Sequence, residues 1–405
     1  MNICFDTFGC RLNRAEALED EARSIAKGHR VVDSHAEADV VVVRGCSVTA
    51  RAQHDCEQAI RHLRDKYPGK RVIVTGCLPG AKKLDISSLA KSGRDLPSVE
   101  PVPKRTARAY LKVQDGCSCN CSFCIVPKFR GAPVSVPFAE VICKARRFVS
   151  AGYHEIVVTG CNLALYSSEG RRLPDLVAAL AEVSPDCRVR LGSVEPGPVT
   201  MDLVHAMAEH NNICRFLHVS AQSGSNVVLE AMKRPYKAKD IDDVASEATT
   251  LMPNIGLGCD LIAGFPGETE NDFRMTKGLL LRHPFSNVHA FPFSERPGTP
   301  AAAILSGRIT KDVRRTRARD LAGIGDEARR RIARRFVGKT VEVVVENDHP
   351  VSGWTGEYLW LEAMRRSSGF GAVVSRDSLR KQKVEFRVRS SENGVLYGEP
   401  VRNGR

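Results

Sequence analysis

Three short apolar runs near the start of the chain end alike. Ile3–Phe8 runs into Gly9-Cys10, Val40–Val43 into Arg44-Gly45-Cys46, and Val72–Thr75 into Gly76-Cys77. Between them, Arg14–Lys27 and Thr49–Lys66 carry apolar residues three and four apart, the spacing of one helix face. Alternating strands and helices predict a doubly wound parallel sheet. The carboxyl ends of its strands share one edge, where such sheets bind ligands. Cys10, Cys46 and Cys77, 36 and 31 residues apart, are thereby brought together in space. The glycine before each lets backbone approach a bulky ligand closely. Three Gly-Cys pairs at one sheet edge point to a metal cluster.

From Lys82 to Arg108 the periodicity lapses into Ser, Pro and basic residues. Residues 93–108 are expected to be a linker after a first domain of residues 1–92. From Ala109 the alternation resumes. Candidate strands are Tyr110–Gln114, Glu155–Thr159, Arg188–Gly192, Arg215–Ser220, Gly256–Ala263 and Asn287–Phe293. Helical patterns fall between them, among them Phe138–Ser150, Asp175–Val183, Asn226–Met232 and Ile241–Leu251. Six strand–helix units over residues 109–335 predict a partial (βα)6 barrel with its functional residues at strand carboxyl ends. Ile309–Arg335 closes this region as a helix, and Arg308–Arg335 holds eleven basic residues against four acidic. Beyond it, Val341–Glu346, Tyr358–Leu361, Gly371–Ser375, Lys383–Val388 and Val395–Glu399 alternate with Gly, Asn and Ser, so residues 336–405 are expected to form a small all-β barrel. The fold class is α/β with a terminal β-barrel.

Composition narrows the function. Sixty Lys and Arg against 47 Asp and Glu leave a formal charge of +13, which favours a polyanionic partner or reflects a merely basic surface. No apolar stretch is long enough to span a membrane, and no signal peptide is evident, so a cytoplasmic location is expected. Nothing indicates an obligate oligomer. Fourteen cysteines in such a chain imply metal or redox chemistry over a disulfide framework. Cys4, Cys56, Cys143, Cys187, Cys214 and Cys259 sit singly in apolar or helical runs and are expected to be small buried hydrophobes.

The remaining cysteines decide the chemistry. Directly after the first barrel strand stands Asp115-Gly116-Cys117-Ser118-Cys119-Asn120-Cys121-Ser122-Phe123-Cys124. A zinc site wants four ligands, and Cys119 would have to be the fourth, but this array is too compact for paired knuckles. Cys117, Cys121 and Cys124 instead suit three irons of a [4Fe–4S] cluster, leaving one iron open for a chelating amino acid. The array resembles the radical S-adenosylmethionine (SAM) superfamily. That resemblance implies that Phe123 lies beside the adenine and that the reduced cluster cleaves SAM to a 5′-deoxyadenosyl radical.

Over nearly its whole length the chain resembles one branch, the methylthiotransferases. The carrying residues are Thr7-Phe8-Gly9-Cys10-Arg11-Leu12-Asn13, Gly45-Cys46-Ser47-Val48-Thr49, Val74-Thr75-Gly76-Cys77, Val126-Pro127 with Arg130-Gly131, and Glu155–Gly160. They continue with Gln222-Ser223-Gly224-Ser225, Met232-Lys233-Arg234 with Tyr236, Gly264-Phe265-Pro266-Gly267-Glu268-Thr269, Pro292-Phe293, and Arg296-Pro297-Gly298-Thr299. The Gly-Cys-Arg-Leu-Asn and Gly-Cys-Ser-Val-Thr forms look closest to the subgroup acting on threonylcarbamoyladenosine in tRNA. The resemblance implies a second [4Fe–4S] cluster on Cys10, Cys46 and Cys77 that carries the sulfur to be transferred. It also implies a TRAM-like RNA-binding terminal barrel. SAM contacts are expected from Thr159, Gly160, Asn162, Glu195 and Gln222, and phosphate or substrate contacts from Arg130 and Arg234. The expected partners are the tRNA anticodon stem-loop, an electron donor such as flavodoxin or ferredoxin, and a sulfur source. Alternatives are isopentenyladenosine tRNA, a ribosomal-protein aspartate, and a non-enzymatic iron–sulfur RNA-binding sensor. The chain departs from the family pattern at Ala132, Val134 and Val136, where arginines are usual, and at Gly192 and Ser220.

Overall fold

The computed structural model describes residues 1–81, 84, 106–364 and 379–401. The expected linker at 93–108 lies almost wholly outside the described residues, and the expected strand Gly371–Ser375 lies entirely outside them.

The amino-terminal sheet contains β1 (Asn2–Thr7), β2 (Arg30–Val31), β3 (Val40–Gly45) and β4 (Arg71–Gly76), ordered β2-β1-β3-β4. Every pairing is parallel, with Thr7 beside Arg44 and Gly45 beside Gly76. The register therefore brings the three Gly-Cys ends level. Helices α1 (Arg11–Ala26) and α2 (Ala50–Lys66) connect the strands. Thr49 caps α2 by accepting from the Ala52 N–H, the ordinary role of Thr at that position.

The central sheet runs β5 (Ala109–Lys112), β6 (Glu155–Thr159), β7 (Arg188–Leu191), β8 (Ser193–Val194), β9 (Phe216–Gln222), β10 (Gly256–Ala263) and β11 (Phe285–Pro292). Neighbours follow chain order and pair parallel within β5-β6-β7 and within β8-β9-β10-β11, with an isolated parallel bridge from Val189 to Ile213 between the two runs. Gly192 alone separates β7 from β8, so together they form one broken strand of a six-strand partial barrel. Helices α3 (Phe138–Ser150), α4 (Leu173–Val183), α5 (Pro198–Glu209), α6 (Ala238–Leu251), α7 (Glu270–Arg282) and α8 (Lys311–Arg334) complete the alternation. The main core lies between these helices and alternate strand residues such as Leu217, Val219, Leu257 and Leu261.

The terminal β12 (Thr340–Asp348), β13 (Val351–Thr355), β14 (Trp360–Ala363), β15 (Lys383–Glu392) and β16 (Val395–Pro400) close into a barrel ordered β12-β13-β14-β16-β15. The strand Val351–Thr355 carries Gly353 and lacked a sequence signal strong enough to separate it from a turn. A buried ion cluster docks this barrel beneath the central one. Glu155 accepts from Arg190 Nε at 2.7 Å and Arg188 Nη2 at 2.5 Å, and the two arginines also donate to the carbonyls of Thr355 and Trp354. Burial alone would raise the Glu155 carboxyl; Arg190, Arg188 and Arg108 outweigh it and hold the group well below the usual carboxylate range.

Among the described residues no helix is long and apolar enough to cross a membrane. Of the single cysteines, Cys4, Cys56, Cys187, Cys214 and Cys259 are buried as expected, whereas Cys143 is exposed. It lies on the outer surface of α3, where helical periodicity alone could not fix its face.

Candidate active site

Cys10, Cys46 and Cys77 converge at the carboxyl edge of the amino-terminal sheet. A Cβ added at Gly9, whose φ is +93°, would stand 2.5 Å from Cys46 Cβ and 2.9 Å from its sulfur. Gly9 must therefore be glycine both for its backbone angle and for this close approach. Asn13 locks the arrangement: its Nδ2 donates to the carbonyls of Phe8 and Gly45 at 2.8 and 2.9 Å. The Cys77 N–H donates to the Gly45 carbonyl as well. Burial pushes the Cys46 thiol up to about 11, with Cys10 and Cys77 beside it adding to the rise. Cys56 is not part of this group; its sulfur accepts the Cys46 backbone N–H at 3.4 Å.

Cys117, Cys121 and Cys124 lie on the single loop after β5. Its base is fixed by Gly116, at φ +68°, where a Cβ would meet the Ala132 carbonyl oxygen at 2.0 Å. The segment holding Ala132, Val134 and Val136 folds back onto this loop, Val134 pairing with Asp115. Val134 is 65% exposed there, while Val136 packs against the main core. Burial pushes Cys124 up to about 11. Cys119 differs from its neighbours: its sulfur lies 3.5 Å from Glu195 Oε2, and the hydrogen bond it shares with Cys117 pushes the Cys119 thiol up and holds that of Cys117 down.

The two arginines expected at phosphate or substrate are buried beside the cysteine groups. Arg130 is 8% exposed, and its Nε donates to Cys77 Sγ at 3.0 Å. Its other nitrogens reach Glu16 Oε1 and Asp115 Oδ1 at 2.9 Å each and Asn13 Oδ1 at 2.9 Å. Arg234 is 6% exposed; its Nη1 donates to Cys121 Sγ at 3.0 Å and its Nη2 lies 2.5 Å from Glu195 Oε1. Each cysteine group thus has one buried guanidinium aimed at one sulfur. Buried guanidiniums need carboxylates, and the folded chain supplies Glu16, Asp115 and Glu195. Burial would raise Asp115, but Lys112 and Arg130 outweigh it and hold the carboxyl at about 2.

The other expected contacts cluster at the barrel mouth. Asn162 Nδ2 donates to Glu195 Oε2 at 2.7 Å and to Cys119 Sγ at 3.4 Å. Thr159 ends β6, buried, and Gly160 follows where a Cβ would crowd Gln114 at 3.0 Å. Gln222 ends β9 after a register shift, with φ +60°. Phe123 packs beside the apolar cluster of Val228, Met232, Phe265 and Phe293. Sequence reasoning missed Glu16, Asp115 and Cys161. Cys161 lies 3.4 Å from Asp115 Oδ1, and its position after Thr159-Gly160 was the available signal.

The donor sets fit iron–sulfur clusters. Each group offers three thiols, glycine leaves room at the sheet edge, and Arg130 and Arg234 stand ready to balance thiolate charge.

The curved parallel sheet with three cysteines on its first loop defines a radical-SAM enzyme. Residues 111–280 match the Radical SAM superfamily, and residues 2–94 match Uncharacterized protein family UPF0004. A solved radical SAM methyltransferase, TsrM from Kitasatospora setae, shares this fold at TM-score 0.56 and 14% identity, covering 74% of this chain and 75% of that one. The chain is 31% identical to the threonylcarbamoyladenosine tRNA methylthiotransferase MtaB of Chlamydia pneumoniae, across 84% of this chain and 85% of that protein. It is 29% identical to the tRNA-2-methylthio-N(6)-dimethylallyladenosine synthase of Chlorobium chlorochromatii, across 98% and 96%. The chain belongs to the radical-SAM tRNA methylthiotransferase family.

Proposed function

We propose that this enzyme places a methylthio group on C2 of N6-threonylcarbamoyladenosine beside the tRNA anticodon, using SAM and two [4Fe–4S] clusters. The observation that carries the reading is the pairing of two three-cysteine groups, each with a buried arginine, linked through Arg130 and Asp115. Cys117, Cys121 and Cys124 would hold the cluster that binds SAM, and Cys10, Cys46 and Cys77 the second.

The C2–H of adenine is unactivated, and no side-chain base with a pKa near neutral removes it. When bound, SAM and the clusters supply a one-electron route to that bond and a sulfur held close by. The chain's own residues place and insulate these groups. Asn13 fixes the loops of Cys10 and Cys46 against one another. Arg130 donates to Cys77 while its ion pairs with Glu16 and Asp115 tie the sheet edge to the base of the second cysteine loop. Glu195, held by Arg234 and Asn162, offers a carboxylate at the barrel mouth for ribose hydroxyls, and Phe123 offers an aromatic face for adenine. Helix α1 packs Ala15 against Tyr110 and Val157 and so holds the amino-terminal sheet against the central barrel.

Arg314 and Arg317 of the basic α8 are buried, Arg314 donating to the Phe293 carbonyl and Arg317 to Glu268. Lys311, Arg315, Arg319, Arg331, Arg334 and Arg335 remain exposed, and these cations support RNA binding. The enzyme would work in the cytoplasm with a one-electron donor of the flavodoxin or ferredoxin kind and a sulfur source. Nucleoside mass spectrometry of tRNA from a strain lacking the gene tests the reading. Loss of 2-methylthio-threonylcarbamoyladenosine, with its unthiolated precursor accumulating, is expected. Loss of the isopentenyl counterpart would move the substrate to that branch, and an unchanged profile would direct the search to ribosomal proteins.

A further inference from the structure

The concave face of the central barrel holds a polar group that the reaction described above does not use. Alternation along the strands sorts the side chains. On β9, Leu217, Val219 and Ala221 enter the core beneath the helices, so His218 faces the opposite way. On β10, Leu257, Cys259, Leu261 and Ala263 enter that core, leaving Asp260 on the concave face. On β11, Val288 and Ala290 pack on it, leaving His289 likewise. Asp260 Oδ1 lies 3.1 Å from His218 Nε2 and 3.2 Å from His289 Nδ1, and the two imidazole rings are 4.9 Å apart. His218 is only 4% exposed, yet its Nε2 has no well-aligned hydrogen bond among the described residues. The His289 side chain is 47% exposed, so the group opens to solvent.

Helix α1 fills the other half of the concave face, over β5 and β6, through Ala15 and Leu18. Its first residue, Arg11, reaches the floor of the open half. There Arg11 Nη2 donates to the Tyr358 hydroxyl at 2.9 Å and Nη1 to the Leu191 carbonyl at 3.3 Å. No carboxylate lies within ion-pair distance of Arg11 among the described residues, unlike Arg130 and Arg234. A run of rings connects Arg11 to the imidazoles: Tyr358 stacks on Phe216 at 4.5 Å, and Phe216 lies tilted 6.1 Å from His218.

A half-buried guanidinium without a counter-charge, on the same wall as two imidazoles that share one oxygen of a carboxylate and leave the other to spare, fits an anion that also carries donors. An apolar tail would leave these groups desolvated and unpaired. We propose that Arg11, His218, Asp260 and His289 form the subsite for the amino-acid tail of the modified adenosine. Arg11 takes the tail's carboxylate, and the Asp260–imidazole group takes its hydroxyl or ureido N–H. The assignment rests on the substrate reading given above.

The test uses the cluster-loaded full-length enzyme and two anticodon stem-loop RNAs. One bears N6-threonylcarbamoyladenosine, and the other is the same RNA with the threonine carboxylate converted to its amide. Wild-type enzyme is expected to favour the acid in kcat/KM by roughly ten- to hundredfold, as removal of a charged hydrogen-bond partner usually costs. In Arg11→Gln the acid-to-amide ratio falls toward one, chiefly through KM, and Arg11→Lys restores part of it. His289→Phe lowers use of both RNAs while keeping the ratio above one. A purely structural role for Arg11, next to Cys10, would lower both rates and leave the ratio intact, and that result overturns the proposal. Equal use of acid and amide by wild type overturns it too, without touching the reaction assignment. Absence of methylthio product from wild type on both RNAs would instead bring down the substrate reading itself.

Discussion

The two cysteine groups reach similar chemistry by opposite routes. Cys117, Cys121 and Cys124 lie within eight residues on one loop, so their proximity is covalent. Cys10, Cys46 and Cys77 come from three strand ends and meet only because β1, β3 and β4 pair parallel in one register. A one-residue slip there would turn a cysteine to the other face. The loop group has few such demands, and its structural requirement is the glycine at position 116. The strand-end group depends on Gly9, on Asn13 spanning two loops, and on Arg130 reaching over from the central barrel. Local sequence makes one group robust; tertiary structure makes the other conditional on the whole amino-terminal sheet.

The largest expected effect separates the two groups by product. Cys117→Ser should abolish both SAM cleavage and methylthio product. Cys77→Ser should retain SAM cleavage to 5′-deoxyadenosine while losing methylthio product. Chromatography of the two products from reduced, reconstituted variants checks this, and methylthiolation surviving in Cys77→Ser would remove the strand-end group from the reaction.

A smaller effect concerns the guanidinium that joins the groups. Arg130→Met strands Glu16 and Asp115 in a buried setting, and loss of one partner of a buried pair costs about 3–5 kcal/mol. Thermal unfolding should show that loss, and the iron bound by the strand-end group should fall before that of the loop group. Unchanged stability would mean that Lys112 alone, 2.6 Å from Glu16 and 2.5 Å from Asp115, balances both acids.

The smallest effect is a pH dependence. Asp115 is held near 2 against an ordinary value of 3.8. Its folded-state pKa is depressed, so its contribution is present above about pH 4 and is lost as pH falls toward 2. Asp115→Asn should therefore lower stability at neutral pH by at most about 2 kcal/mol. Denaturant titrations of both proteins should converge near pH 2; a difference that persists there would assign the loss to packing.

Much of this molecule was legible from its residues. The apolar patterns located Glu155–Thr159, Gly256–Ala263 and Phe138–Ser150 to the residue, because a glycine, a proline or a polar residue marks each end. The loop cysteines were equally plain, since their spacing is itself the geometry. The strand-end cysteines were legible only through an inference about parallel order, which the register bears out.

What sequence could not supply was direction and partnership. Arg130 and Arg234 were expected at phosphate or substrate, and the fold buries both against sulfur and carboxylate. Glu16 was an unremarked residue of a helical pattern until α1 packed against the central barrel and placed its carboxylate among Arg44, Lys112 and Arg130. Cys143 and Cys161 were misjudged or passed over because a helix face and a loop contact are set by what packs nearby. The chain by itself determined the elements, the cysteine groups and the family. Tertiary structure decided which charges are buried in pairs and which, like Arg11, meet no carboxylate among the described residues, because desolvation and pairing depend on neighbours that lie far away in sequence.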